Sequence, residues 1–180
     1  MNKKHLLISA ILLLPFCLIS DWLIEHHFIF KKEYWGLYDN WGHGMIAVLI
    51  ALPLFQKFEI KSLIIVFLIA SLLDLDHFIV NFSFSLTKAI SLLMRPATHS
   101  LLFALLASVI YFVITKNKKW TWLIFMAIAS HVVRDAYSGI TPIFFPIKIY
   151  EIPYWSYLLV EVLFLLISYF PKWEKNFEVY

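Results

Sequence analysis

Residues 62–80 read SLIIVFLIASLLDLDHFIV. Up to Leu73 the stretch is apolar or small, as a helix facing lipid must be, and a bilayer crossing takes about 20 such residues. Its end breaks that rule with Asp74, Asp76 and His77. A charged side chain at mid-membrane costs at least about 2.5–3.5 kcal/mol even on the lenient insertion scale, so charges in such a segment mark a function or a partner. Asp74 and His77 are three apart and share a helical face. Asp76 points elsewhere unless the helix unwinds there, and that unwinding is expected; otherwise Asp76 stands behind a ligating His.

The rest of the chain follows the same pattern. It is 180 residues long, 62% hydrophobic and 15% charged, with mean hydropathy +0.80, whereas soluble domains are about 45–50% apolar and about a quarter charged. Apolar runs cover about 6–24, 40–55, 62–80, 97–114, 120–137 and 154–170, with charged turns such as QKFEIK at 56–61 and TKNKK at 115–119. This predicts an all-α, polytopic membrane helix bundle of about six spans, a single integral membrane domain over 1–180. The first run follows Lys3 and Lys4 but lacks a small-residue cleavage pattern, and Phe16 before Cys17 is too bulky for a lipoprotein-type site. It therefore reads as a span, bent at Pro15. Pro96 is expected in the first turn of the fourth helix. Segment 138–153, SGITPIFFPIKIYEIP, holds three prolines and a glycine, which predicts an irregular outer loop folded into protein or interface.

With the N-terminus inside, Lys3, Lys4, Lys57, Lys61, Lys116, Lys118, Lys119, Lys172 and Lys175 fall on the inner side. Lys31, Lys32, Lys88, Arg95, Arg134 and Lys148 then lie toward the other. That excess predicts that both termini are cytoplasmic, in what is expected to be a bacterial-type inner membrane. The net charge of +3 is scattered at the ends of apolar runs and leaves no nucleic-acid footprint. A single cysteine, Cys17, excludes a disulfide framework and a thiolate zinc site. Any metal here must take His and carboxylate ligands.

Such residues gather at one end of the spans. His43 opens the second, Asp74 and Asp76 close the third, His99 opens the fourth, and His131 with Asp135 closes the fifth. Alternating helix direction brings all of these to the outer side, with Asp74 and His131 roughly 16–18 Å from the inner starts of their helices. His131 and Asp135 are four apart and share a face. Each piece has a structural explanation when taken singly: a His at a span end anchors the interface, and an HxxxD pair stabilises a helix. Imidazole and carboxylate converging from four helices are also the ligands of divalent metals. Asp21, Glu25, His26 and His27 lie at the outer end of the first span, where they either extend the site or are simply solvated. Glu161, alone in the sixth span, is expected to pair with Arg134 or with a ligating His.

The ordered elements WGHG (41–44), LLDLDH (72–77), RPATHS (95–100) and SHVVRDAYSG (130–139), followed by TPIFFP (141–146), resemble the YdjM-like family of membrane-bound metal-dependent hydrolases. The resemblance covers about residues 40–150, a hydrolase-like core. His43, Asp74, Asp76, His77, Arg95, Thr98, His99, Ser100, His131, Asp135 and Gly139 match that pattern. Leu73 stands where the family often has Pro, Met94 where it has His, and Pro96 where it has Gly.

The expected function is a metal-dependent hydrolase acting at the outer face on an ester or phosphoester of a lipid or lipid-linked substrate. A divalent metal, zinc or manganese, is expected on His43, Asp74, Asp76, His99, His131 and Asp135, as one ion or two. Such an ion brings the pKa of water toward neutrality, Asp76 or His77 handles the proton, and Arg95 and Arg134 hold an anionic substrate group. Two other classes fit the same residues. A metal-ion or proton transporter needs polar groups along a route to the inner side, yet 46–52 and 62–70 are almost wholly apolar. A non-catalytic membrane protein would use the site as a structural metal clip.

Overall fold

Alternating helices carry the chain back and forth between two ends of a bundle. In the computed structural model, which describes residues 3–26, 34–85, 88 and 94–169, α1 is Lys3–Glu25, α2 is Trp35–Ala51, α3 is Ile60–Ser71 and α4 is Asp76–Val80. They are followed by α5 (Leu101–Thr115), α6 (Lys118–Ser138) and α7 (Tyr154–Tyr169). α1 passes through Pro15 as one continuous helix. Antiparallel neighbours are fixed at both ends. At one, the His5 Nδ1–H donates to the Phe55 carbonyl at 2.8 Å and the Lys119 ammonium lies 4.0 Å from the Phe55 ring. At the other, Arg134 of α6 meets Asp21 of α1 and Asp39 of α2. The tight α5–α6 turn places Lys116 in the left-handed region at φ 57°, and Asn117 caps α6 by accepting from the Trp120 N–H at 3.1 Å.

α6 is the axis. It is buried from Met126 to Ala136, and the large apolar side chains left exposed belong mainly to α1, α3, α5 and α7. Examples are Leu7 and Ile11, Ile64 and Ile65, Leu105 and Ile110, and Leu159 and Leu163. A bundle with apolar flanks and charged groups at its centre is built for a lipid solvent. Two helical stretches, Lys3–Glu25 and Ile60–Val80, are long and apolar enough to cross a membrane, by length and composition; Leu101–Thr115 and Tyr154–Tyr169 are apolar but shorter. α2 contributes Asp39 and His43, and α6 His131, Arg134 and Asp135, to the ionic cluster inside.

Two expectations need correction. Pro96 does not open α5: residues 96–100 form a turn, and Ser100 caps the helix by accepting from the Phe103 N–H at 3.1 Å. Segment 138–153 is not wholly irregular. It folds as an antiparallel hairpin of β1 (Thr141–Phe144) and β2 (Lys148–Tyr150), pairing Thr141 with Tyr150 and Phe144 with Lys148. Its prolines are accommodated because Pro142 and Pro146 fall outside those register pairs. Of the residues that carried the orientation reading, Lys31, Lys32, Lys172 and Lys175 lie outside the described residues, as does His27.

The glycines of WGHG set how closely α2 approaches its neighbours. A Cβ at Gly44 would overlap the Ser71 hydroxyl and come within 2.5 Å of the Phe67 ring, so α2 and α3 touch only because Gly44 has none. A Cβ at Gly42 would lie 3.2 Å from the Arg134 guanidinium and 3.1 Å from Ser20 Oγ. Gly44→Ala is expected to cost about 1–3 kcal/mol by overpacking, and more than Gly42→Ala, measured by thermal unfolding in detergent. Equal effects would contradict this packing account.

Candidate metal centre

The apolar run of α3 ends at Leu72, and a 3-10 turn at Leu73–Leu75 leads into α4. A 3-10 step turns about 120° per residue instead of about 100°, which swings Asp76 toward the side of Asp74. The helix thus departs from α geometry at the expected place, but by winding tighter instead of unwinding, and the result is specific. The two carboxylates address opposite nitrogens of one imidazole: His99 Nε2 is 3.0 Å from Asp74 Oδ1, and His99 Nδ1 is 3.3 Å from Asp76 Oδ2. Thr98 Oγ1 donates to Asp76 Oδ2. A proton held on Nδ1 toward Asp76 leaves the Nε2 lone pair for the centre.

α6 contributes the other half. His131 donates its Nδ1–H to the Ala70 carbonyl at 2.8 Å, which fixes the tautomer and turns Nε2 inward. That Nε2 lies 3.4 Å from Asp74 Oδ1 and 3.3 Å from Asp135 Oδ2, while His99 Nε2 lies 3.2 Å from the same Asp135 oxygen. Two nitrogens and two oxygens thus alternate around a common point, with neighbouring donors 3.0–3.4 Å apart. Ligands about 2.0–2.2 Å from a tetrahedral ion stand about 3.4 Å from one another. His131 Nε2 and both Asp135 oxygens are buried without a hydrogen-bond partner, and a buried group left that way costs about 1–3 kcal/mol, more if charged. The donor set fits a divalent cation held by Asp74, His99, His131 and Asp135.

Two further groups with the right donors adjoin it, Asp76–His77–His99 and Asp39–His43–Asp135. His43 stacks on His131 with ring centres 3.7 Å apart, and its Nε2 is 3.4 Å from Asp135 Oδ1. His77 Nε2 lies 3.7 Å from Asp74 Oδ1 and 3.8 Å from Asp76 Oδ1. A cavity of about 270 Å³ reaches this centre, lined by Asp39, Asn40, Asp74, His77 and Arg95 among others. Arg95 Nη2 is 3.3 Å from Asp135 Oδ1, and its side chain is 19% exposed.

Sequence reasoning placed several groups differently. Arg134, expected at the substrate, is buried and its guanidinium is already engaged. Nε and Nη2 donate to Asp21 Oδ1 at 3.0 and 2.9 Å, and Nη1 donates to Asp39 Oδ1 at 2.6 Å. Asp21, one of the groups offered as extending the site, serves this clamp instead. Glu161 pairs with neither Arg134 nor a ligating His; it is buried and accepts from Ser130 Oγ at 2.9 Å. Asp76 joins the centre through the far side of His99, not beside Asp74 on the four-donor group. His26 stacks on Trp22 and does not enter the three donor groups found among the described residues.

Sequence reasoning also missed two residues. Asp39 sits four before His43, the same spacing as His131 and Asp135, and that repeat was the available signal. Asn40, with its amide nitrogen toward them, donates to Asp74 Oδ2 and to the Gly36 carbonyl at 3.2 Å; no sequence pattern announces it.

The chain matches the family model described as YdjM inner membrane protein over residues 39–178. Curated relatives include Transmembrane protein 267 of Bos taurus, 28% identical over 169 residues, covering 86% of this chain and 77% of that protein. The same-named protein of Danio rerio is 30% identical over 132 residues, covering 67% and 59%. No solved structure matches the chain.

The clamp makes a direct prediction. Arg134→Met leaves the buried Asp21 and the partly exposed Asp39 without their cation, and breaking such an arrangement costs up to about 3–5 kcal/mol. Thermal unfolding in detergent should show that loss; a change below about 0.5 kcal/mol would mean that the two carboxylates are neutral or solvated.

Proposed function

The chain belongs to the YdjM inner membrane protein family, and from that premise we propose that it is a metal-dependent hydrolase acting on an ester or phosphoester of a lipid or lipid-linked substrate. The observation that carries the reading is the four-donor group of Asp74, His99, His131 and Asp135, buried yet adjoining a cavity lined by Arg95. Six helical rods, counting α3 and α4 as one, then cross the bilayer, with both termini cytoplasmic and the centre toward the outer face, as the Lys distribution favours. The membrane lipids supply the substrate.

The ion, zinc or manganese, supplies Lewis acidity and a more acidic water. The chain's own residues do the rest. Arg95, partly exposed on the cavity, holds the anionic group through its planar fork. His77, which lines the cavity beside Asp74 and Asp76, takes and returns the proton. Asp76, anchored by Thr98, orients His99. Arg134 holds α1 and α2 against α6 and so positions Asp39 and Asp135.

One observation favours a second reading, ion or proton transport. Glu161 is buried beside Ser130, and the buried hydroxyls of Ser9 and Ser168 lie toward the end opposite the centre. Polar groups thus continue past the apolar stretches of α2 and α3. Proteoliposomes loaded with a pH-sensitive dye decide between the two: the hydrolase reading expects no flux, and flux abolished by Glu161→Gln would establish transport.

For the enzyme itself, the purified protein should retain zinc or manganese and release headgroup or phosphate from lipid substrates. Asp74→Ala and His131→Ala should lose both metal and activity, and Asp76→Asn should weaken metal affinity about 10- to 100-fold. A metal-free protein whose Asp74→Ala and His131→Ala forms match the wild type in every assay would end this reading.

A further inference from the structure

We infer that the protein holds a second cation beside the first, on Asp39, His43 and the Oδ1 oxygen of Asp135, so that the Asp135 carboxylate bridges two ions. This rests on the reading of a metal at Asp74, His99, His131 and Asp135. His43 is 1% exposed, and neither of its ring nitrogens has a hydrogen-bond partner among the described residues. Its Nε2 faces two carboxylate oxygens, 3.4 Å from Asp135 Oδ1 and 3.7 Å from Asp39 Oδ2. These spacings are close to those of donors around one small divalent ion.

Asp135 divides its two oxygens between the sites. Oδ2 faces His99 and His131, while Oδ1 faces His43 and, at 3.3 Å, the Arg95 guanidinium, and neither accepts a hydrogen bond. A first ion on Oδ2 leaves Oδ1 and the His43 imidazole buried against each other with the geometry of neither a hydrogen bond nor a packed apolar contact. A cation between them satisfies both.

Charge points the same way. Among the described residues, the Arg and Lys side chains paired with Asp21, Asp39, Asp74, Asp76 and Asp135 in this part of the bundle are Arg95 and Arg134. With neutral imidazoles, that leaves three negative charges in a medium that stabilises charge poorly. One divalent ion leaves the centre with a single negative charge. Two leave it with a single positive charge, the sign an anionic substrate needs.

The two sites differ in a way that assigns their roles. The first has four protein donors around its common point. The second has three, and three protein ligands leave an ion free to take a substrate oxygen. Asp39 also lines the cavity that contains Asp74, His77 and Arg95. Substrate is therefore received on the Asp39–His43 side of Asp135, next to the first ion.

The test is metal stoichiometry on the full-length protein in detergent, equilibrated with manganese and freed of loose ions, followed by electron paramagnetic resonance of the same sample. Two ions per chain with an exchange-coupled spectrum are expected, falling to one ion with the spectrum of an isolated centre in His43→Gln. One ion per chain in the wild type overturns the second site and leaves the hydrolase reading intact, whereas no bound ion overturns both. Two ions with uncoupled spectra, or two retained by His43→Gln, show that Asp135 and His43 do not join the sites. Because the coupling is read on the wild type, the test does not depend on the variant folding.

Discussion

The Asp135 carboxylate sits at the centre of an apolar bundle with no exposed surface and no hydrogen-bond donor of its own. Burying a carboxylate costs several kcal/mol unless opposite charge or ligation compensates it. Around it the chain has assembled His43, His99 and His131, with Arg95 on the cavity side. α6 carries both Asp135 and His131, and for that reason it is the helix that every other element shields. The site thus determines the packing as much as the packing determines the site.

Shielding requires close approach, and the small residues and clamps supply it. Gly44 brings α2 onto α3, and Gly42 leaves room for Arg134, whose guanidinium ties α1 and α2 to α6. The Ala70 carbonyl, near the end of α3 where the 3-10 turn begins, accepts from His131. The same tighter turn sets Asp74 and Asp76 on the two nitrogens of His99. The enclosing helices then present Leu, Ile and Val to the surroundings, which favours a lipid solvent and would be a liability in water.

Much of this was legible in the sequence because the bilayer constraint makes ionisable residues conspicuous. His43, Asp74, His99, His131 and Asp135 stood out against apolar runs, and alternating helix direction was enough to bring them to one end. A break in the α-helix at Asp76 followed from spacing, but not that it would be a tighter 3-10 turn. Partnerships between positions far apart in the chain were not legible. Arg134 reads equally well as a substrate ligand or a clamp until Asp21 and Asp39 are seen on either side of it. Glu161 reads as an ion-pair partner until Ser130 takes its oxygen. The hairpin at Thr141–Tyr150 was hidden because its prolines signal irregularity, and only the register shows that the pairing avoids them.

The central claim is that imidazoles and carboxylates from separate helices bind one centre, and X-ray absorption at the metal edge of the purified protein tests it most directly. The account predicts a first shell of nitrogen and oxygen at about 2.0–2.2 Å, with the outer-shell scattering of at least two imidazole rings and no sulfur. A sulfur shell, or an ion surrounded by oxygen alone with no imidazole signature, would contradict it.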